Sequence, residues 1–143
     1  MTRKTIPLRF CKSKIPLVTF RLADEEHYAI IDTGSEISIL GAQLKDKIDT
    51  REMEAETSLV GVNGGSEYRN LVQGACYATF KTSDDENIEM VVGGMMSDLK
   101  AISSHFMTKN GEYIPIAVII GGDFLKHYNA KIDYKKKHLT ITV

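Results

Sequence analysis

The stretch Ala29-Ile30-Ile31-Asp32-Thr33-Gly34-Ser35 decides how the rest of the chain is read. An apolar run that reads as a buried strand ends directly in a carboxylate, two hydroxyls and a glycine. A carboxylate at the end of such a strand is costly unless donors or a purpose hold it there. Gly34 and the hydroxyls of Thr33 and Ser35 are the donors at hand. The same residues also fit an Asp that merely starts a turn, with Thr and Ser bonding locally to the backbone.

Working outward, most segments read as strands. Ile15 to Leu22 and Tyr28 to Ile31 are β-branched and apolar around the polar turn Ala23 to Glu26, which predicts a hairpin. Ser58 to Val62 and Glu67 to Phe80 flank Asn63-Gly64-Gly65-Ser66, where Asn-Gly is a strong hairpin signal because both residues tolerate positive φ. Thr79 to Lys81 and Asn87 to Val92 form a third pair around residues 82–86, and Ala130 to Tyr134 with Leu139 to Val143 a fourth around residues 135–138. Helical signals are few: Gly41 to Ile48, Asp98 to Met107, and Asp123 to Tyr128 with Asp123 as cap and Asn129 as stop. The fold class is mainly β, a closed or nearly closed antiparallel barrel with two or three short helices, in one domain covering residues 1–143.

Two further segments bear on Asp32. Val60-Gly61-Val62-Asn63-Gly64-Gly65-Ser66 has little side-chain bulk, so its backbone is able to lie close over a bound chain; it also fits an ordinary tight turn. Ile116-Ala117-Val118-Ile119-Ile120-Gly121-Gly122-Asp123-Phe124-Leu125 reads as a buried strand, a glycine corner and a helix, or simply as core.

In this order and at these separations, the three segments resemble the retropepsin family of aspartic proteases, over roughly Ile15 to Val143. The resemblance implies a retropepsin-like barrel with Asp32-Thr33-Gly34-Ser35 as active-site loop and Asp32 as the catalytic carboxylate. It implies that Thr33 locks to its symmetry mate, that Gly34 meets substrate through its backbone, and that Gly61 to Gly65 form a flap. It places Ile39, Val62, Ala117 and Ile119 near the walls of the substrate cleft and Gly64 and Gly65 over the substrate, with Asn63 at a flap tip that is often apolar in the family, where it either hydrogen-bonds substrate or simply makes the turn. Ile119-Ile120-Gly121 corresponds to the segment that passes behind the active-site loop. Retroviral members usually carry an Arg after that glycine as a brace; here Gly122 and Asp123 follow, so the bracing must differ. The segment from Gly93 to Tyr113 is longer than the retroviral equivalent and adds room for a helix over one end of the barrel.

Peptide hydrolysis of this kind uses two carboxylates at close range, one ionised to take a proton from water and one protonated to polarise the carbonyl. One chain supplies one such loop, so a homodimer with a second Asp32 across a two-fold axis is expected. The expected function is therefore an aspartic endopeptidase acting on a peptide or protein substrate. The alternative is a catalytically idle module of the same fold that binds peptides or dimerises.

Composition narrows the other classes. The chain has 143 residues, with 18 Lys and Arg against 19 Asp and Glu, a net charge of −1. That balance argues against nucleic-acid and anionic-membrane partners, which call for a basic excess. Cys11 and Cys76 match no metal or redox spacing and read as buried thiols of a reducing, cytoplasmic compartment. Lysines and arginines interrupt every apolar run among the first twenty residues, which leaves no signal-peptide core. His27, His105, His127 and His138 have no metal-ligand spacing, and no Gly-x-Ser-x-Gly elbow or P-loop occurs, so no metal and no cofactor is expected. The acidic runs Asp84-Asp85-Glu86 and Glu52 to Glu56 read as solvated surface.

Overall fold

The computed structural model describes residues 2–58, 66–103, 106 and 110–143, with backbone only at 53–58 and 66–70. The barrel is built from β3 (Pro16–Leu22), β4 (Glu25–Ile31), β5 (Ile39–Gly41), β7 (Ser66–Lys81), β8 (Asn87–Ser97) and β9 (Ile116–Ile120). Their order is β3-β4-β9-β5-β8-β7, and the pair Arg21↔Thr79 joins β7 back to β3 and closes the ring. Two strands lie outside the ring in the same sheet: β2 (Arg9–Phe10) on β3, and β6 (Asp49–Ser58) on β7. A separate sheet joins β1 (Arg3–Pro7), β11 (His138–Thr142) and β10 (Lys131–Asp133), with β11 in the middle.

Strand alternation, interrupted in β9 by the irregularity where Tyr28↔Ile116 passes to Ala29↔Val118, sorts the barrel residues into two apolar clusters. Ile31, Val118 and Ile120 point into the main core with Val18, Phe20, Leu40, Phe80 and Met90. Leu17, Ile30, Ile116 and Ile119 point the other way and are covered by Cys11, Leu99, Phe106 and Ile114, with Ile39 and Ile102 at the margin. The long segment after β8 thus packs onto the second face. Within the predicted helix Asp98 to Met107, Lys100–Ser103 is helical (α1) and Phe106 is not, while residues 104, 105 and 107 lie outside the described ones. Ser103 Oγ donates back to the Leu99 carbonyl and accepts from the Ile116 amide at 2.9 Å, stitching the segment to β9.

Other expectations need adjustment. Ala42–Lys47 is a 3₁₀ helix rather than an α-helix. β6 begins at Asp49 and pairs with β7 out to Ser58↔Ser66, so the predicted hairpin is there, while its tip, residues 59–65, lies outside the described residues. The last helix, α2 (Gly122–His127), has Gly121 at its N-cap position with no side-chain cap bond, so Asp123 is not its cap. Asn129 does end it, in the left-handed region at φ 46°.

Candidate active site

Asp32 stands where β4 leaves the barrel. β9 lies between β4 and β5, parallel to the first and antiparallel to the second, so the connection from Ile31 to Ile39 has to cross the end of β9. The crossing is fixed by main-chain bonds. Asp32 N–H donates to the Ile120 carbonyl at 2.9 Å, Gly122 N–H to Ser35 O at 2.6 Å and Asp123 N–H to Glu36 O at 3.0 Å. Gly121 is required by the close approach: a Cβ there would stand 2.3 Å from the Ile37 carbonyl oxygen. Gly94 presses from β8, where a Cβ would stand 2.0 Å from the Ser38 carbonyl oxygen. The loop is clamped between two glycines because backbone has to touch backbone there.

Within the loop, Gly34 N–H donates to Asp32 Oδ1 at 3.0 Å, Ser35 N–H to Asp32 O at 3.2 Å, and Ser35 Oγ to Ile37 O at 2.7 Å. Asp32, Thr33 and Gly34 are exposed and Ser35 is half-buried. Among the described residues nothing hydrogen-bonds to the Thr33 hydroxyl.

Two residues that sequence reasoning did not single out for the site hold it from below. Ser38 is fully buried; its Oγ donates to Asp123 Oδ1 at 2.6 Å and accepts from Gly121 N–H at 2.9 Å, while its own N–H donates to Asp123 Oδ2 at 3.0 Å. Asp123 Oδ1 also accepts from Phe124 N–H at 2.7 Å. Partial burial pushes the Asp123 carboxyl up, but the bonds from Ser38 and Phe124 outweigh it and hold the group below its ordinary value. The residue directly after Gly121, where the sequence resemblance led one to expect an Arg, is Gly122; the brace comes instead from Asp123, one position further on, through Ser38.

The predicted cleft residues divide. Ile39 is half-buried at the edge of the second cluster, and Ile119 lies inside that cluster at 6% exposure. Ala117 is in the main core at 2%. Strand alternation puts the Asp32 side on the face of Ile30 and Ile119, the face that Leu99, Phe106 and Ile114 cover. Gly61, Val62, Asn63, Gly64 and Gly65 lie outside the described residues.

Several other titratable groups are held in local contacts. Glu86 pairs with Lys4 at 2.6 Å, Asp85 with Lys81 at 3.0 Å, and Asp84 accepts from Thr82 Oγ1. His27 is half-buried against the Phe20 ring, 3.7 Å from Glu25, and burial lowers its pKa. Both thiols are free; Cys11 is buried, and burial pushes Cys76 up to about 11, which makes it a poor nucleophile. Among the described residues no group of three His, Cys, Asp or Glu is placed to hold a metal, and no helix is long and apolar enough to cross a membrane.

No protein-family model and no curated protein matches the chain. Among solved structures, the retroviral protease-like domain of Ddi1 from Leishmania major is similar at 20% identity, with a TM-score of 0.50 over 89% of this chain and 87% of that one. A retropepsin-like aspartic protease from Rickettsia conorii is similar at 12% identity and a TM-score of 0.50, over 98% of this chain and 91% of that one. The chain has the retropepsin-like fold: mainly β, with a closed six-stranded barrel and few short helices.

Proposed function

We propose that this chain is an aspartic endopeptidase that works as a homodimer, with Asp32 of each copy contributing one carboxylate to a shared site. The observation that carries the reading is the loop itself. A carboxylate sits exposed at the end of a buried strand, on a crossing held by Ile120, Gly121, Ser38 and Asp123. Rigid support beneath an exposed, otherwise solvated Asp is the arrangement a positioned acid or base requires, whereas a plain turn needs none of it. With two such loops face to face, one ionised Asp32 takes a proton from water while the protonated one donates to the peptide carbonyl. Water attacks directly, so no acyl-enzyme forms. Thr33, exposed and without an internal partner among the described residues, is free to bond across the two-fold axis, and Gly34 offers a backbone without a side chain. The hairpin of β6 and β7, with Gly61 to Gly65 at its tip, is assigned to the flap.

One observation favours a second reading, a catalytically idle peptide-binding or dimerisation module: the face beside Asp32 is already filled by Leu99, Phe106 and Ile114. Incubating the wild type and Asp32→Asn with a diverse peptide mixture, followed by mass analysis, separates the two. Cleavage by the wild type that disappears in the Asn variant supports the enzyme. Cleavage that survives in Asp32→Asn, or none in either, sinks it.

A further inference from the structure

The net charge of −1 averages over a surface on which the charges are segregated. In the acidic turn 84–86, Glu86 is paired with Lys4 and Asp85 with Lys81. The opposite sign collects where two turns meet. Arg9, Lys12 and Lys14 lie on β2 and the turn into β3; Lys135, Lys136 and Lys137 form the turn between β10 and β11. Leu8 N–H donates to the Lys137 carbonyl at 2.8 Å, and the Phe10 and Tyr134 rings meet at 5.9 Å, so the two turns form one corner. All six cations are exposed, and among the described residues none has a carboxylate partner within salt-bridge distance. Asp133, the acid beside them in sequence, is engaged by the Lys136 amide at 2.8 Å.

Two details argue that this corner is more than a solvated surface. Lys14 and Lys137 hold φ of 65° and 56°, left-handed positions where glycine or asparagine sits more cheaply. The corner also adjoins the candidate site. β3 pairs with β4 up to Leu17↔Ile30, two residues before Asp32, and Ile15, at the start of β3's approach, packs in the same cluster as Ile30 and Ile119. The turn carrying Lys12 and Lys14 extends from there, and Cys11 at its base packs in the second cluster with Ile30 and Ile119.

We propose that Arg9, Lys12, Lys14, Lys135, Lys136 and Lys137 form an exosite that docks an acidic stretch of a polypeptide substrate, several residues away from the bond brought to Asp32. This rests on the endopeptidase reading for its substrate role, but the docking is measurable without turnover. Six unpaired cations raise the local concentration of an anionic chain and speed its capture, an effect that salt screens. A peptide is favoured over a nucleic acid because the corner lies beside a carboxylate loop, which repels a uniformly charged phosphate backbone more than a peptide with a neutral segment.

The test uses the full chain as Asp32→Asn, so that no peptide is consumed. Fluorescence anisotropy compares a labelled glutamate-rich peptide, its glutamine counterpart and an oligothymidylate of equal length. The glutamate peptide is expected to bind about tenfold more tightly than the glutamine one at low salt. That advantage should vanish in the triple variant Lys135→Gln, Lys136→Gln, Lys137→Gln, or at about 0.5 M salt. Because these side chains are exposed, the variant's thermal melt should match its parent's. Equal binding of the two peptides, or an unchanged advantage in the triple variant, overturns the proposal. So does tighter binding of the oligothymidylate, which makes the corner a nucleic-acid site. In the wild type, an acidic tail on a cleaved peptide should lower KM without changing kcat, and active enzyme indifferent to the tail also overturns the exosite. Absence of all cleavage counts against the endopeptidase reading alone and leaves the anisotropy result to decide the docking.

Discussion

Ser38→Ala removes a single oxygen from a fully buried position, and the hydrogen bonds around it set the size of the effect. The hydroxyl donates to Asp123 and accepts from Gly121 N–H, so its loss breaks a bond to a charged acceptor and leaves a main-chain amide without its partner. The first contributes about 1.5–3 kcal/mol and the second costs about 1–3 kcal/mol. Asp123 is exposed enough for water to replace part of the lost bond, which moves the first figure to its lower end. Together they come to about 3 kcal/mol, and for a domain of this length that lowers Tm by roughly 10 °C. The acid limb supplies an independent sign. A carboxylate held below its unfolded value contributes stability that is complete above that value, 3.8 for Asp123, and is lost as pH falls through the folded one. Wild-type stability should therefore fall below about pH 4, and that part of the slope should shrink in Ser38→Ala. Urea melts of the wild type, Ser38→Ala, Asp123→Asn and the double variant, at neutral and acid pH, give the two costs and their coupling. A Ser38→Ala loss under about 0.5 kcal/mol, or losses that simply add, would refute the brace.

If one carboxylate comes from each copy, activity per chain should fall on dilution as dimers part, and sedimentation at the assay concentration shows whether the two curves coincide; a monomer that cleaves at undiminished specific rate contradicts the shared site. If the proposed dimer brings two carboxylates within bonding distance, kcat/KM should be bell-shaped with an acidic to mildly acidic optimum, because like charges that close do not both ionise. A rate that climbs steadily into the alkaline range excludes the dyad. Leu99 is 1% exposed in the second cluster, so Leu99→Ala should cost about 3 kcal/mol in a urea melt, and a loss under about 1 kcal/mol would show that this segment does not cover the Ile30 and Ile119 face as tightly as the structure has it.

The barrel and the Asp32 loop were legible because their determinants are local. Apolar, β-branched runs mark β3, β4 and β9; Asp-Thr-Gly-Ser follows one of them and Gly121 another. What escaped was set by partners distant in sequence. β1 carries Arg3, Lys4 and Pro7 and buries only Ile6; it is a strand because β11, from the far end of the chain, pairs with it. β6 runs through Glu52, Glu54 and Glu56, poor strand formers, and its register on β7 overrides them. Asp123 reads locally as a helix cap, but its carboxylate is taken by Ser38, 85 residues away. Ser38 itself is one hydroxyl in an apolar run, and nothing in a sequence distinguishes a buried serine that satisfies two groups from one that satisfies none. Ile119 was correctly read as buried strand, yet what covers it comes from the long segment after β8, whose destination no periodicity reveals.

The terminal sheet constrains how two copies meet. β11 is its central strand, with β1 along Arg3↔Thr142 to Pro7↔His138 on one edge and β10 along Lys131↔Thr140 to Asp133↔His138 on the other. Both edges of β11 are thus used within one chain, and the ends are tied by reciprocal bonds between Thr2 and Val143. A partner's strand enters that sheet beside β11 only by displacing β1 or β10, which breaks main-chain bonds before new ones form. The outer edge of β1 is itself partly occupied, since Ser83 donates to the Thr5 carbonyl at 2.8 Å. If two copies meet through their Asp32 loops, a contact made around the loops breaks none of these main-chain bonds. There the chain exposes Asp32, Thr33 and Gly34, and, further along the same crossing, Ile37 at 50%, although Ser38 and Leu40 after it are wholly buried. If a second copy docks there, it removes that apolar side chain from water, which the isolated chain does not do.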